Sequence, residues 1–447
     1  MKKGLSQKNL EEKNMRKFLV ILLALGLVVA FSMPAAAVDL KFSGTYYVKG
    51  YLESNHALRE KDATSEGEVQ NDWYVSRLRV NTVWQVADGL SLTTRFDAQE
   101  KIWGASDGSN QADSLSWERA YVTFKTGIGN FYAGYMSGGG FGTVFNDDVG
   151  SVPRLKWVGA FGPWIVLALT EKGVEKDGLD DSTETDSDYD KYAVAAIYKW
   201  EGGQAGVLWF YLPDKSSKTG TVTDTDGNFD LVRNYVPVYF KANLGPLYME
   251  GEASYFFGTY DYVTPGVADK DLEGISAYLY AKFNMGPAYV GGQFGYVEGN
   301  DPNTRDMEQG YYDNADWDPC LILFNYWLAV YQNGLAGMPT SYGADANSWL
   351  GLNNGFLYQA FAGFKPMDTL TLHASLTYAK ADEKPLNYVD DEYGTEFDIS
   401  ATWKIYDNLE YYIGFGYLFA GDYFKGTDAN AKIEDDYLLM HKLTLSF

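Results

Sequence analysis

Five arginines give the first hint of chemistry in this chain. Arg79 and Arg95 lie nine and seven residues from the turn residue Asp88, Arg119 nine from Ile128 and Arg154 eight from Gly162, with Arg77 two positions beyond Arg79. Each occupies the polar phase of an alternating run. Carboxylates that could face them are Asp147 and Asp148, in the glycine-rich stretch SGGGFGTVFNDDVGS (Ser137 to Ser151), and Glu250, Glu252 and Asp398 at the same phase of later runs. Guanidinium groups on one wall opposite carboxylates on another generate a transverse field, which orders water and favours small polar or charged species. The competing use is structural: the arginines pair with Asp97, Glu118 or loop carboxylates and only stabilise a filled interior.

Bond-making chemistry is not expected. His56, His373 and His441 sit on separate segments with no evident nucleophile beside them, so a serine and histidine arrangement finds no support. The acidic stretch from Lys176 to Asp190 holds enough oxygens for Ca²⁺ or Mg²⁺, but such loops are ordinarily solvated. DTDGNFD, Asp224 to Asp230, fails as a calcium loop because the alignment puts Val222 at its first position and Arg233 at its twelfth. Neither metal nor cofactor is expected, and the chain does not read as an enzyme.

The elements that would hold the arginines have a period of two. From Trp73, Tyr74, Leu78, Val80, Thr82, Trp84 and Val86 alternate with Arg77, Arg79, Asn81 and Gln85. Leu90, Leu92, Phe96 and Ala98 alternate with Ser91, Thr93, Arg95, Asp97 and Gln99, and Phe397, Ile399, Ala401, Trp403 and Ile405 alternate with Glu396, Asp398, Ser400, Thr402 and Lys404. Each run is a strand with one apolar and one strongly polar face. A soluble sandwich shares that pattern, so the connections decide. Eight tight turns, such as Ala87-Asp88-Gly89, Gly162-Pro163 and Gly245-Pro246, alternate with nine long connections. Eighteen strands with both chain ends on the tight-turn side form an all-β, transmembrane antiparallel β-barrel, with short periplasmic turns and long extracellular loops. Sixteen and twenty strands are the alternatives. Closure leaves no unpaired backbone edge in lipid. The aromatic content of 16% suits interfacial belts, with Trp103, Trp117, Trp200 and Trp209 as candidates.

Ahead of this region, Phe18 to Met33 is continuously apolar or small, preceded by Arg16 and Lys17 and followed by Pro34 and Ala35-Ala36-Ala37. Residues 1–37 are therefore expected to be a secretory signal peptide, complete even from Met15, and 38–447 a single barrel domain. Its removal would take the formal charge from −24 to about −28. Bulk charge of that sign excludes nucleic acid as a partner. One cysteine, Cys320, allows no internal disulfide.

On this architecture, the signal peptide and the ending Leu443-x-Leu445-x-Phe447, the chain resembles the Gram-negative outer-membrane porins. The terminal pattern looks like the strand signal read by the barrel assembly machinery. The resemblance implies a homotrimer embedded in the lipid and lipopolysaccharide of the outer membrane, each barrel holding a water-filled pore narrowed by its third long loop. Here that loop is 138–151, which lacks the Pro-Glu-Phe-Gly-Gly string of enterobacterial porins. The pore-lining set is then Arg77, Arg79, Arg95, Arg119, Arg154, Asp147, Asp148, Glu250, Glu252 and Asp398.

The longest connection, 299–354, is expected to be a long extracellular loop. Within it, PCLILFNYWLAVYQNGLAG (Pro319 to Gly337) reads as a short amphipathic helix in the vestibule or against a neighbouring subunit. Two functional classes follow. One is a channel for passive diffusion of small hydrophilic solutes and ions, with modest substrate preference; the other is a structural or adhesive protein whose barrel mainly anchors acidic surface loops. A circumference of eighteen strands favours water inside.

Overall fold

The computed structural model describes residues 39–59, 71–104, 115–145, 150–176, 187–217, 229–263, 266–304, 307–308, 317–328 and 351–447. The expected signal peptide, Asp147, Asp148 and most of the acidic stretch 176–190 lie outside them.

The first strands are β1 (Asp39–Glu53), β2 (Asn71–Ala87), β3 (Leu90–Ile102), β4 (Leu115–Thr126), β5 (Gly129–Ser137) and β6 (Ser151–Phe161). They continue through β7 (Trp164–Val174), β8 (Tyr189–Trp200), β9 (Gly203–Asp214), β10 (Phe229–Leu244), β11 (Leu247–Tyr262) and β12 (Lys270–Met285). After β13 (Ala288–Val297) comes a two-residue piece, β14 (Met307–Glu308), parallel to β12 and outside the ring. The ring is completed by β15 (Gly355–Met367), β16 (Leu370–Lys380), β17 (Glu392–Tyr406), β18 (Leu409–Ala420) and β19 (Asp436–Ser446). Eighteen strands pair antiparallel with their neighbours, and β19 closes on β1 from Thr45↔Ser446 to Glu53↔Leu438.

Strands of 9 to 17 residues, rising about 3.3 Å per residue and tilted about 40°, match a hydrocarbon layer about 30 Å thick. Outward positions carry the apolar set: Tyr74, Trp84, Leu372, Leu376, Phe397, Ile399 and Trp403 are all exposed. Trp103 and Trp117 stand outward at the long-loop end and Trp200 at the turn end, as belts require, whereas Trp209 sits farther along β9. At the seam, Gly44 and Phe447 exchange backbone hydrogen bonds of 2.8 and 3.0 Å. A Cβ on Gly44 would lie 2.7 Å from the Phe447 ring, so the terminal aromatic covers a glycine. Leu443, Leu445 and Phe447 all face outward on this last strand. His441, the polar exception among them, lies over Gly50, with Tyr74 edge-on at 5.6 Å.

The interior is unevenly filled. The main buried cluster joins inward residues of β1, β2, β12, β13 and β15–β19 to segments from several long connections, among them Leu58, Trp317, Leu323, Leu352 and Phe424. Alternation supplies the wall, but inserted chain supplies the core on this side.

Candidate functional site

The arginine wall runs along the inward faces of β19 and β1–β4. Lys442 and Lys49 are direct register partners across the seam. Beside them, Arg77 Nη1 donates to Glu100 Oε1 at 3.1 Å. Arg79 grips Asp97 with two bonds, Nε to Oδ1 at 2.9 Å and Nη2 to Oδ2 at 2.6 Å. Arg95 faces Arg119 as its register partner on β4, with its Nη2 3.5 Å from Glu118 and 3.7 Å from Asp97. Arg119 Nε reaches Ser151 Oγ at the foot of β6, 3.4 Å away. Beside these six cations stand Glu100, Asp97 and Glu118, with Asp318 near Lys49 and Glu410 near Lys442, so the named cations outnumber the named carboxylates by one.

Arg154 has a different job. It makes a two-nitrogen ion pair with Glu171 on β7, both side chains buried. Its Nη1 and Nη2 also donate to the carbonyls of Ser137 and Gly138, at 3.0 and 2.8 Å. Those carbonyls begin the glycine-rich loop, so one arginine fixes where the loop leaves the wall. From there the loop crosses the interior. Gly140 and Gly142 have φ of 105° and 90°, a region that side chains rarely adopt. On the far side Glu252 Oε2 of β11 accepts from Thr143 N at 2.6 Å and Thr143 Oγ1 at 2.8 Å. A Cβ on Gly142 would come within 2.5 Å of that same oxygen, so only glycine permits this approach. Phe145, fully buried, then stacks on Tyr278 at 5.1 Å and meets Trp317 edge-on at 4.9 Å.

Trp317 belongs to the longest connection, of which residues 317–328 lie inside the barrel rather than above it. Gly295 makes room for the Trp317 ring, since a Cβ there would lie 2.4 Å from it. Gln359 on β15 donates to Pro319 O at 2.7 Å, and Cys320 Sγ lies 3.4 Å from Thr377 Oγ1. Burial pushes the Cys320 thiol well up. Glu396 on β17 accepts from the backbone N of Ile322 and of Leu323, both at 2.7 Å, and is itself fully buried. Leu321 sits over Gly414 and Gly416. The segment ends near the basic wall, where Lys49 and Arg77 lie 4.6 and 5.6 Å over the Trp327 ring. Residues 317–325 are irregular and only 326–328 are helical before the described chain stops. Of the apolar run expected to form an amphipathic helix in the vestibule or against a neighbouring subunit, the described residues bury Ile322, Leu323 and Phe324 against the inward wall, where two backbone N–H groups find Glu396, while 329–337 lie outside the described residues.

Between the glycine loop and the wall from β6 to β11 lies a cavity of about 350 Å³. Leu167, Leu169, Ile197 and Leu208 form one side, and Arg154, Lys156, Lys191 and Arg233 contribute cations.

The expected site residues therefore divide. Arg77, Arg79, Arg95 and Arg119 come together on one wall, while Arg154 serves the loop root. Glu250 faces inward, accepting from Tyr248 at 2.6 Å and Tyr278 at 3.3 Å. Glu252 and Asp398 also face inward but are buried beneath inserted chain, Glu252 under the glycine loop and Asp398 beside Glu396 and Ser375. The sequence reading missed Glu171, Glu396, Lys49, Lys442 and Arg233 as partners. Their inward parity was available; which of them inserted loops would use was not. Cys320, Glu396 and Asp398 place ligand atoms within 4.8 Å of one another, and Glu396 is already committed to two backbone N–H groups.

No family model and no curated relative matches the chain. Solved structures do. OccAB4 of Acinetobacter baumannii superposes with a TM-score of 0.51 at 9% identity, over 92% of this chain and 99% of its own. OpdK of Pseudomonas aeruginosa gives 0.50 at 10% identity, over 91% and 99%. The channel DcaP of Acinetobacter baumannii gives 0.45 at 14%, over 93% and 99%. With its closed ring, outward apolar band and inward charged wall, the chain has the fold of the Gram-negative outer-membrane porins.

Proposed function

We propose that this barrel is an outer-membrane channel through which small hydrophilic solutes and ions diffuse passively, with a modest preference for anions. One observation carries the reading: the unbroken run of inward cations from Lys442 to Arg119, which outnumber the carboxylates beside them, Asp97, Glu100, Glu118, Asp318 and Glu410. Fixed cations in a low-dielectric surround concentrate counter-ions of opposite sign. The passage follows that wall, bordered by the glycine loop on one side and the segment ending at Trp327 on the other. Arg77, Arg79 and Arg119 line it, with Arg95 buried among them; Arg154 and Glu252 hold the loop that narrows it. Glu250 faces inward beside Tyr248 and Tyr278, Asp398 is buried beneath inserted chain, and Asp147 and Asp148 lie outside the described residues.

The anchor alternative requires an interior packed shut around its whole circumference. A charged wall and a cavity beside the loop favour conduction instead. Export by residues 1–37, assembly directed by Leu443, Leu445 and Phe447, and association as a homotrimer among lipopolysaccharide belong to the same proposal. The test is single-channel recording of purified, heat-modifiable protein together with solute swelling of proteoliposomes. Stepwise conductance and swelling by small sugars or amino acids are expected; their absence in correctly folded protein returns the barrel to an anchor.

A further inference from the structure

Three consecutive strands, β7, β8 and β9, break the barrel's own rule. Their inward faces should be polar, yet they present Leu167, Leu169, Ala193, Ala195, Ile197 and Leu208 to the interior. Water against such a surface is unfavourable, so it must be covered or must have a use. Phe141 of the glycine loop packs over part of it and meets Tyr239 edge-on at 5.0 Å. The loop does not fill the space, for the cavity of about 350 Å³ remains beneath it. That size and an apolar lining with a few convergent charges are what small-molecule sites share.

The cavity's charged residues are Arg154 and Lys156 on β6, Glu171 on β7, Lys191 on β8, Arg233 on β10 and Glu252 on β11. Of the two carboxylates lining the cavity, Glu171 is held by Arg154 and lies 3.4 Å from Lys191, and Glu252 is occupied by Thr143. Lys156 also lines the cavity, with its Nζ 4.7 Å over the Tyr132 ring. Among the described residues no carboxylate stands within 4 Å of it. Phe141, Tyr189, Phe210, Tyr235 and Phe256 line other parts of the cavity, but the β7–β9 floor itself carries the branched aliphatic side chains Leu167, Leu169, Ile197 and Leu208, a surface that suits a flexible chain.

We infer that the cavity between the glycine loop and β6–β11 is a binding site for small alkyl monoanions, the hydrocarbon lying on the leucine floor and the anionic head beside Lys156. The site would retain amphipathic solutes that the aqueous passage alone would not distinguish. This rests on the channel reading only for its electrical assay.

The experiment is a homologous series, butyrate to octanoate, applied to the full barrel in planar bilayers, with block of the ionic current as readout. Affinity should rise about fourfold per methylene, the ratio that about 0.8 kcal/mol per buried CH₂ gives. It should level off once the chain outgrows the cavity. Lys156→Gln should weaken every acid by about tenfold while keeping the slope, and Leu208→Asn should flatten the slope while leaving the unblocked conductance and reversal potential unchanged. Gel heat-modifiability shows that each variant is folded. Calorimetric titration of nanodisc-held barrel with the same acids, blanked on empty nanodiscs, reads binding even in a barrel that does not conduct. A flat chain-length dependence in both assays overturns the site and leaves the channel standing. Benzoate binding more tightly than hexanoate overturns the alkyl assignment.

Discussion

Two sides of one barrel interior are made from the same alternating strands and end differently. Along β12, β13 and β15–β19 the inward face is buried under chain that has folded back from the long loops, and its buried polar groups serve that chain: Glu396 holds Ile322 and Leu323, Gln359 holds Pro319, and Gln293 lies 3.3 Å from the Trp317 indole nitrogen. Along β1–β4 the inward groups face one another, and arginines outnumber the carboxylates they pair with. The first arrangement makes the inserted chain part of the fold. The second sets side-chain charge against side-chain charge along the wall. In a barrel, then, inward polar groups can hold inserted chain or pair with one another along the wall, and parity alone does not distinguish the two.

Breaking the filled side should cost the most stability. Glu396→Ala removes the acceptor of two buried N–H groups, and an expected loss of about 3 to 5 kcal/mol follows from the penalty for each orphaned donor. Urea unfolding followed by tryptophan fluorescence measures it. Gly142→Ala sharpens the boundary between the sides: the new methyl would meet Glu252 at a φ of 90°, costing about 2 kcal/mol locally and undocking the glycine loop. Global unfolding should move less than for Glu396→Ala, while open-channel noise and protease cleavage near Gly142 increase. Cys320 gives the smallest effect. Buried, with its thiol kept protonated at neutral pH, it should resist maleimide in the folded barrel and react once unfolded. Cys320→Ser should change stability by no more than about 1 kcal/mol, the scale of one hydrogen bond. Rapid labelling of folded protein would mean that residues 317–328 do not stay seated.

The strand count, the tight turns and the orientation of nearly every named side chain were legible in the sequence, because a period of two and a turn rule are local properties. Arg79 and Asp97 could be paired on paper for the same reason: they sit on adjacent strands joined by the turn at Asp88 and Gly89. Pairings that span the lumen were not legible. Thr143 meets Glu252 across 109 residues, and Leu323 meets Glu396 across 73; both depend on where a loop folds, which alternation does not encode. The apolar run at Pro319 was visible as something to bury, but its burial against the inside wall depends on Gly295, Gly414 and Gly416, whose absent side chains look in sequence like ordinary strand glycines. The β7–β9 floor did leave a trace, since Ile165 to Leu169 and Val194 to Ile197 are apolar at both phases where the rest of the chain alternates.

The central claim is that solutes pass along the positive wall. Arg95 and Arg119 test it most directly, because they face each other in register and the Arg79–Asp97 pair remains when both are changed. The measurement is the reversal potential of single channels in a tenfold potassium chloride gradient, wild type against Arg95→Gln/Arg119→Gln. The wild type should give an anion-leaning potential that shifts toward the potassium equilibrium potential in the variant, with conductance retained. Identical reversal potentials in two conducting, correctly folded barrels would contradict it.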